Sequence, residues 1–428
     1  MTSDLPVLRP DALDHADLAH LCREYLLAGH LIDRAAMGHI IGAHGAGAVA
    51  DVAIDEWMGA SPVYTARTQR ALGFGGDDVE TMFKGMQIDI GAPPEFLDFR
   101  FVVHDATHGE FTLAHCGALM DVEPIGEEMV HTMCHTIEDP TFEATACASN
   151  PRARLAAVHR PPRVPADRMP HCHWTVEIRG DVEAWELPAA ARAIEQCRAA
   201  TIDLARWGPS DDGRGDYAGP LDADLRMEDF STDALSAIAG EATMQSHLLV
   251  ASFWRAIEAR YGAEHAVDLV TRQFRGVAGA VARRLQHWFG FEASPDGFAS
   301  LLAMHPGLGP DRYTGWSVEV VGGSAVVTQR WAPATDAGEP RTWATLPADS
   351  ITSALDAMVG EIDRRARCVP LVLDGGTDGA IARWRVELGD EPRRRHDDVL
   401  MTLFSTGADF RFERVGQRTA ARPAPEDH

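Results

Sequence analysis

Histidine and cysteine, the residue types that most often bind transition metals, are concentrated in residues 104–173. The chain of 428 residues has 19 histidines and 7 cysteines. Eight of these histidines and four of these cysteines lie in this one stretch: His104, His108, His115, His131, His135, His159, His171 and His173, with Cys116, Cys134, Cys147 and Cys172. This crowding indicates a metal or thiol site that the rest of the chain supports.

Two segments present their polar residues at spacings that suit a metal. In a helix predicted over 125–138, Glu128, His131, His135 and Glu138 would share one face. On a predicted strand, His171 and His173 would point to the same side. We predict that His135, His171 and His173, with His131 nearby, bind zinc or iron, with Glu138 as fourth ligand or general base. The alternative is a solvated polar face that binds nothing.

Thiols and arginines add two further candidate functions. Cys116 and Cys134 each neighbour a histidine in sequence, so either could be a nucleophile or support one. Buried, inert cysteines are equally common. Arg160 and Arg163 lie in a proline-rich loop and are predicted to bind the carboxylate of a small acidic substrate, unless they are ordinary surface arginines.

The elements that must position these groups are helices followed by short strands. Apolar periodicity predicts helices within residues 11–60, over 50–72 with a break near Ser61-Pro62, and over 79–86, 125–138 and 188–206. Alternation predicts a hairpin of strands 99–103 and 109–113 and a strand over 171–178. The predicted class is α+β, with two related domains that each pack N-terminal helices on a small antiparallel sheet.

The second half of the chain echoes the first in four places. The matching segments, at offsets that drift from 217 to 210 residues, are Gly73-Phe74 with Gly290-Phe291, Val102-Val103 with Val320-Val321, Arg152–Arg154 with Arg365–Arg367, and Trp174–Ile178 with Trp384–Leu388. Their conserved order predicts a tandem duplication. We therefore expect a catalytic domain (1–207), a linker (208–230), a degenerate repeat that lacks the histidines (231–415) and a disordered tail (416–428).

Composition limits the partners. The formal net charge is −25, which argues against nucleic acid and anionic membranes, because both require a basic surface. The N-terminus has no signal-peptide pattern, and the odd number of cysteines predicts reduced thiols in the cytoplasm. The apolar share and the second copy hint at a homodimer.

A series of short motifs runs through residues 35–180: Cys116 after a strand, Met133-Cys134 followed by Glu138-Asp139, Asn150-Pro151, and Cys172 in a closing strand. In the order of these motifs the chain resembles the L-2-amino-thiazoline-4-carboxylic acid hydrolase-like family. The resemblance implies an α+β domain that opens a small sulfur- or nitrogen-containing carboxylic acid by hydrolysis, with roles for Cys116, Cys134, Asp139 and Cys172. The richness in histidine departs from the family pattern.

Three functions remain open at this point. The first is metal-dependent hydrolysis of a small carboxylate-bearing amide-like or cyclic molecule, with Glu138, Cys134 and Cys116 as catalytic residues. The second is a non-haem iron oxygenase or lyase, since two histidines and a carboxylate also suit iron. The third is a non-catalytic protein that senses a metal or a ligand.

Overall fold

A computed structural model describes residues 7–373 and 379–412 of the chain. In these ranges the fold is α+β, with many helices and two separate four-stranded antiparallel sheets, which confirms the predicted class. The predicted tail, residues 416–428, lies outside the described residues.

The first half places long helices ahead of a sheet. Its elements are α1 (His15–His44), α2 (Gly47–Ala71), α3 (Val79–Met86), β1 (Leu97–Asp105), β2 (His108–Cys116), α4 (Gly117–Val122), α5 (Glu127–His131), a π-helix (Thr132–Ile137), α6 (Glu138–Cys147), β3 (Ala153–His159), β4 (Cys172–Ile178), α7 (Ala189–Glu195) and α8 (Arg198–Thr201). The strand order is β1-β2-β4-β3. Asp14 and Asp78 cap α1 and α3 by accepting backbone N–H groups, as aspartate does at helix starts.

The second half repeats this order. Its elements are α9 (Thr232–Tyr261), α10 (Ala263–Phe289), α11 (Pro295–Ala303), α12 (Asp311–Thr314), β5 (Trp316–Val321), β6 (Ser324–Arg330), α13 (Ala348–Val359), β7 (Ala366–Pro370), β8 (Ala380–Leu388) and α14 (Asp397–Thr402). The strand order, β5-β6-β8-β7, matches that of the first sheet. Ser231 caps α9 through its hydroxyl.

Three features of the predicted helices are wrong: one internal break, one end and one continuous helix. Helix α2 runs unbroken through Pro62, because its close packing on α9 outweighs the backbone hydrogen bond that proline removes. The helix predicted to end at residue 138 continues to Cys147 by way of the π-helix. The helix predicted over 188–206 is two short helices, α7 and α8.

The helices of the two halves pack on each other rather than only on their own sheets. Helix α1 lies against α9 and α10, and α2 lies against α9. One hydrophobic core contains buried residues of all four helices and of the second sheet, and a second core lies beneath the first sheet. Because α1 and α9 are covered on nearly every side, they are apolar around most of their circumference.

Paired contacts relate the two halves by an approximate two-fold symmetry. Arg67 of α2 binds Glu241 of α9 through two hydrogen bonds of 2.9 and 2.8 Å. Arg284 of α10 binds Glu24 of α1 in the same way, at 2.6 and 2.8 Å. Arg284 lies 217 residues after Arg67, and Glu241 lies 217 residues after Glu24. Each ion pair therefore joins an arginine of one half to a glutamate of the other at equivalent positions. In an isologous interface each contact is made twice with the partners exchanged, and the two ion pairs follow that pattern within one chain.

Candidate functional site

A large cavity lies between the first sheet and the helices that cover it. Its volume is about 140 Å³, similar to that of an engineered protein cavity that binds benzene. Most of its wall is apolar, with contributions from α1, α2, α3, the π-helix, α6 and the inner face of the sheet: Met37, Trp57, Met82, Phe83, Met86, Leu97, Phe99, Leu113, Met133, Ile137, Phe142, Ala146, Leu155 and Val176.

Arg34 is the main cation of the cavity wall. It projects from α1, and only 10% of its side-chain surface is exposed. Its Nη2 lies 3.4 Å from Asp33 Oδ2 and its Nε lies 3.5 Å from Asp121 Oδ2, so two carboxylates flank the guanidinium. Its Nη1 and Nη2 also donate to the sulfur atoms of Met37 and Met133. Because sulfur is a weak acceptor, these Nη groups keep hydrogen-bonding capacity for an anion.

Asp121 connects the cavity wall, through hydrogen bonds, to Ser405 and Thr406 of the second half. Its carboxylate accepts hydrogen bonds from His30 Nε2 at 3.1 Å, from Ser405 Oγ at 2.8 Å and from the backbone N–H of Thr406 at 2.6 Å. Burial raises the pKa of Asp121, but the bond from His30 and the charge of Arg34 outweigh it and hold that pKa well below its usual range. The second half of the chain thus helps to orient His30 and Arg34, which both line the cavity.

Glu138 enters the cavity because of the π-helix. The i→i+5 hydrogen bonds of a π-helix rotate the residues that follow it, and such segments often occur at functional sites. Burial raises the pKa of the Glu138 carboxyl to about 8, and the nearby Arg160 lowers it only in part. At neutral pH this carboxyl is therefore mostly protonated and can donate a proton.

A second carboxyl, Asp89, faces the same cavity. It accepts hydrogen bonds from Tyr64 Oη at 2.8 Å and from the backbone N–H of Gly91 at 2.6 Å. Burial raises its pKa to about 6, although both hydrogen bonds oppose the shift. At neutral pH, Asp89 is therefore ionised while Glu138 is protonated, a difference that suits an acid and a base.

The three candidate thiols are buried close to Glu138. Cys172 lines the cavity, and the Cys116 sulfur caps α4 by accepting the N–H of Leu119. Burial, followed by the charge of Glu138, raises the pKa of Cys116 to about 12 and those of Cys134 and Cys172 further. Protonated thiols are poor nucleophiles, so their resting state favours a packing role.

The structure places His131 and His135 side by side but turns Glu138 away from them. The rings of His131 and His135 stack with their centroids 4.2 Å apart, and His131 is exposed. His135 Nε2 donates to the carbonyl of Pro161 at 2.7 Å. Glu128 is exposed, whereas Glu138 faces the cavity. The extra residue in the π turn explains why the regular α-helical spacing did not hold.

His171 and His173 also have separate surroundings. His171 is buried, with its ring centroid 6.2 Å from that of His115. Its pKa is lowered to about 4, by burial and then by Arg163. His173 lies on the outer face of the sheet, where its Nε2 is 2.8 Å from Glu110 Oε2. Across residues 7–373 and 379–412, no three His, Cys, Asp or Glu side chains converge as a metal site requires. The predicted ligand set therefore does not fit a zinc or iron ion in this arrangement.

The two predicted substrate-binding arginines already have acidic partners. Arg160 pairs with Asp139 and lies over the ring of Trp174, 5.4 Å from its centroid. Arg163 forms a two-pronged pair with Glu123, both contacts being 2.9 Å. Neither arginine lines the cavity. Arg34 has acidic neighbours as well, but it lines the cavity and is therefore better placed than either to meet a ligand carboxylate.

Sequence reasoning missed the polar residues of the buried helices. His30, Asp33 and Arg34 lie within an apolar run of α1, and Tyr64 lies within α2. Charged residues inside such a run are costly to bury unless they are paired or functional. This cost of burial is the signal in the sequence that could have identified these residues as functional.

The matching positions of the second half carry apolar residues. The residues 217 positions after Asp33, Arg34 and Met37 are Val250, Ala251 and Trp254. The residues 217 positions after Tyr64 and Thr65 are Val281 and Ala282. All five are buried. His30 is an exception, because the residue 217 positions after it is the buried His247.

Comparisons of the chain with protein family models, with characterised proteins and with solved structures gave no match. The fold and the site define an α+β chain of two similar halves that holds a ligand-sized cavity, with a buried arginine and two carboxyls of shifted pKa, in its first half. In the described ranges, no helix has both the length and the apolar character needed to cross a membrane.

Proposed function

We propose that the cavity is the active site of a hydrolase that cleaves an amide-like or cyclic C–N or C–S bond in a carboxylate-bearing molecule. One observation carries the proposal: a buried arginine, whose Nη groups donate only to weak sulfur acceptors, and a carboxyl that is mostly protonated at neutral pH line the same cavity. Arg34 would bind the substrate carboxylate, because a guanidinium matches its two oxygens.

The two carboxyls would divide the proton transfers. Asp89, ionised at neutral pH, would take a proton from the attacking water. Glu138 would donate its proton to the departing nitrogen or sulfur as the bond to carbon breaks. Water adds across the bond, so that the products are a carboxylic acid or thioacid and an amine or thiol. Glu138 was expected from the sequence as a metal ligand or base, and its burial suits it better to the role of acid.

In this assignment neither the thiols nor the histidines take part in the reaction. Cys116, Cys134 and Cys172 would form the wall behind Glu138 as buried thiols whose raised pKa keeps them protonated. All seven cysteines are free, which is typical of a reducing compartment and supports activity in the cytoplasm.

The test is a hydrolysis assay on a panel of N-acyl amino acids, lactam carboxylic acids and thiazoline carboxylic acids, followed by release of amine or thiol. We expect wild-type turnover, with a loss of about 100-fold or more in kcat for Glu138→Gln and for Asp89→Asn, because general acid–base catalysis contributes about that much. The matched control is Glu128→Gln, an exposed residue of the neighbouring helix turn. Full activity in Glu138→Gln would contradict the proposal.

A further inference from the structure

Arg34 and Glu138 reach the cavity wall on either side of Met133. Arg34 Nη2 lies 3.8 Å from the sulfur of Met133, near the start of the π-helix. Glu138 follows that π-helix directly. Both side chains line the cavity, so the cation and the acid are presented to the same ligand space.

From Glu138 the cavity continues along α6 toward an apolar end. Glu138, Phe142, Ala146 and Ser149 all line it, and the ten residues of α6 span about 15 Å at 1.5 Å per residue. Phe142 packs edge-on against Phe111 and Trp174 of the sheet. The wall along α6 beyond Glu138 is thus a mainly apolar chamber, in which Thr141, Thr145 and Ser149 add only uncharged hydroxyl groups.

Methionines form a large part of the wall between the two ends. Met37, Met82, Met86 and Met133 all line the cavity. The flexible thioether side chain adapts its shape to varied apolar partners. Such a wall suits an apolar body whose shape is not tightly specified.

We propose that the ligand is a monocarboxylate with an extended apolar body, its carboxylate at Arg34 and its body along α6 toward Phe142. This inference rests on the proposed function for the identity of the site, but it narrows the substrate class. A compact polar acid would leave the apolar chamber unfilled and would gain little from it.

The experiment is isothermal titration calorimetry of the full chain with butanoate, hexanoate, octanoate and decanoate, and with 1-octanol as the uncharged counterpart of octanoate. Each added methylene should tighten binding about fourfold, which corresponds to about 0.8 kcal/mol of apolar burial. Octanoate should bind more tightly than 1-octanol, because the alcohol cannot pair with the guanidinium of Arg34.

Two kinds of variant test the two ends separately. Arg34→Gln should weaken octanoate binding about 10- to 100-fold, the range expected for loss of a charge-assisted hydrogen bond, and should leave 1-octanol binding unchanged. Arg160→Gln and Arg163→Gln are the matched controls and should bind octanoate as the wild type does. Ala146→Phe should abolish the gain from octanoate over butanoate by filling the apolar end. Thr145→Phe, in the same wall, repeats this test at a second position should the first variant fold poorly.

The outcomes separate this inference from the proposed hydrolysis. Equal affinities along the acid series, or tightest binding of butanoate, would overturn the extended apolar body even if hydrolysis is found. Loss of octanoate binding in Arg160→Gln or Arg163→Gln, but not in Arg34→Gln, would overturn the assigned orientation. A rising series together with no hydrolysis of any amide tested would support the ligand class and reject the enzyme.

Discussion

Glu138→Gln should change the way stability depends on pH. Because burial raises the pKa of Glu138 from 4.5 to about 8, the folded protein holds this proton more tightly than the unfolded chain does. The stability contributed by the proton is complete below about pH 4.5 and is lost as the pH rises to about 8. Glutamine is neutral at every pH and has no such dependence.

The magnitude follows from the size of the shift. One pKa unit corresponds to about 1.4 kcal/mol, so the free energy of unfolding of the wild type should fall by about 1.4 kcal/mol per pH unit through this one group. Between pH 5 and pH 8 the difference between Glu138→Gln and wild type should therefore grow by about 4 kcal/mol in favour of the variant. Other titrating groups are common to both proteins and cancel in the difference.

Urea denaturation of both proteins at several pH values between 5 and 9 measures this difference, with Glu128→Gln as the control for removal of an exposed charge. The difference should rise up to about pH 8 and then level off. A difference that is independent of pH would refute the reasoning, since it would mean that the Glu138 carboxyl ionises as readily in the folded protein as in the unfolded chain.

Three other predictions follow from the same structure. Turnover should be highest between about pH 6 and pH 8, where Asp89 is ionised and Glu138 is protonated; a pH–kcat profile that rises steadily through pH 8 would exclude Glu138 as the acid. Glu241→Gln leaves a buried arginine without its carboxylate and should lower the free energy of unfolding by about 3–5 kcal/mol. Glu24→Gln, at the symmetric position, should have a similar effect. Urea denaturation measures both, and a loss of stability in only one variant would contradict the two-fold relation. The buried thiol of Cys172 should react with Ellman's reagent only after unfolding, because a raised pKa and burial suppress the thiolate; rapid reaction in the native protein would contradict its assigned place.

The sequence predicted those features that depend on local pattern and on order along the chain. Alternation predicted the hairpin of β1 and β2, and apolar periodicity predicted α3 over 79–86, because both patterns record which side chains of an element face the core. The paired motifs predicted a duplication, which remains our interpretation of the common element order and of the shared strand order. Gly73 and Gly290, matched in the sequence, both follow a long helix with φ of 64°.

Only the tertiary structure decided where the functional groups meet. The histidine spacing could not reveal that a π turn would separate Glu138 from His131 and His135, since the period of a helix is set by its backbone hydrogen bonds and not by the order of polar residues. Nor could it reveal that Arg34 faces the same cavity as Glu138, because that depends on how α1 and α6 pack around the first sheet. Residue order determined the types of element and their repetition. The packing of helices from both halves determined which polar side chains are buried away from solvent. That burial then raised the pKa of Glu138 and of Asp89.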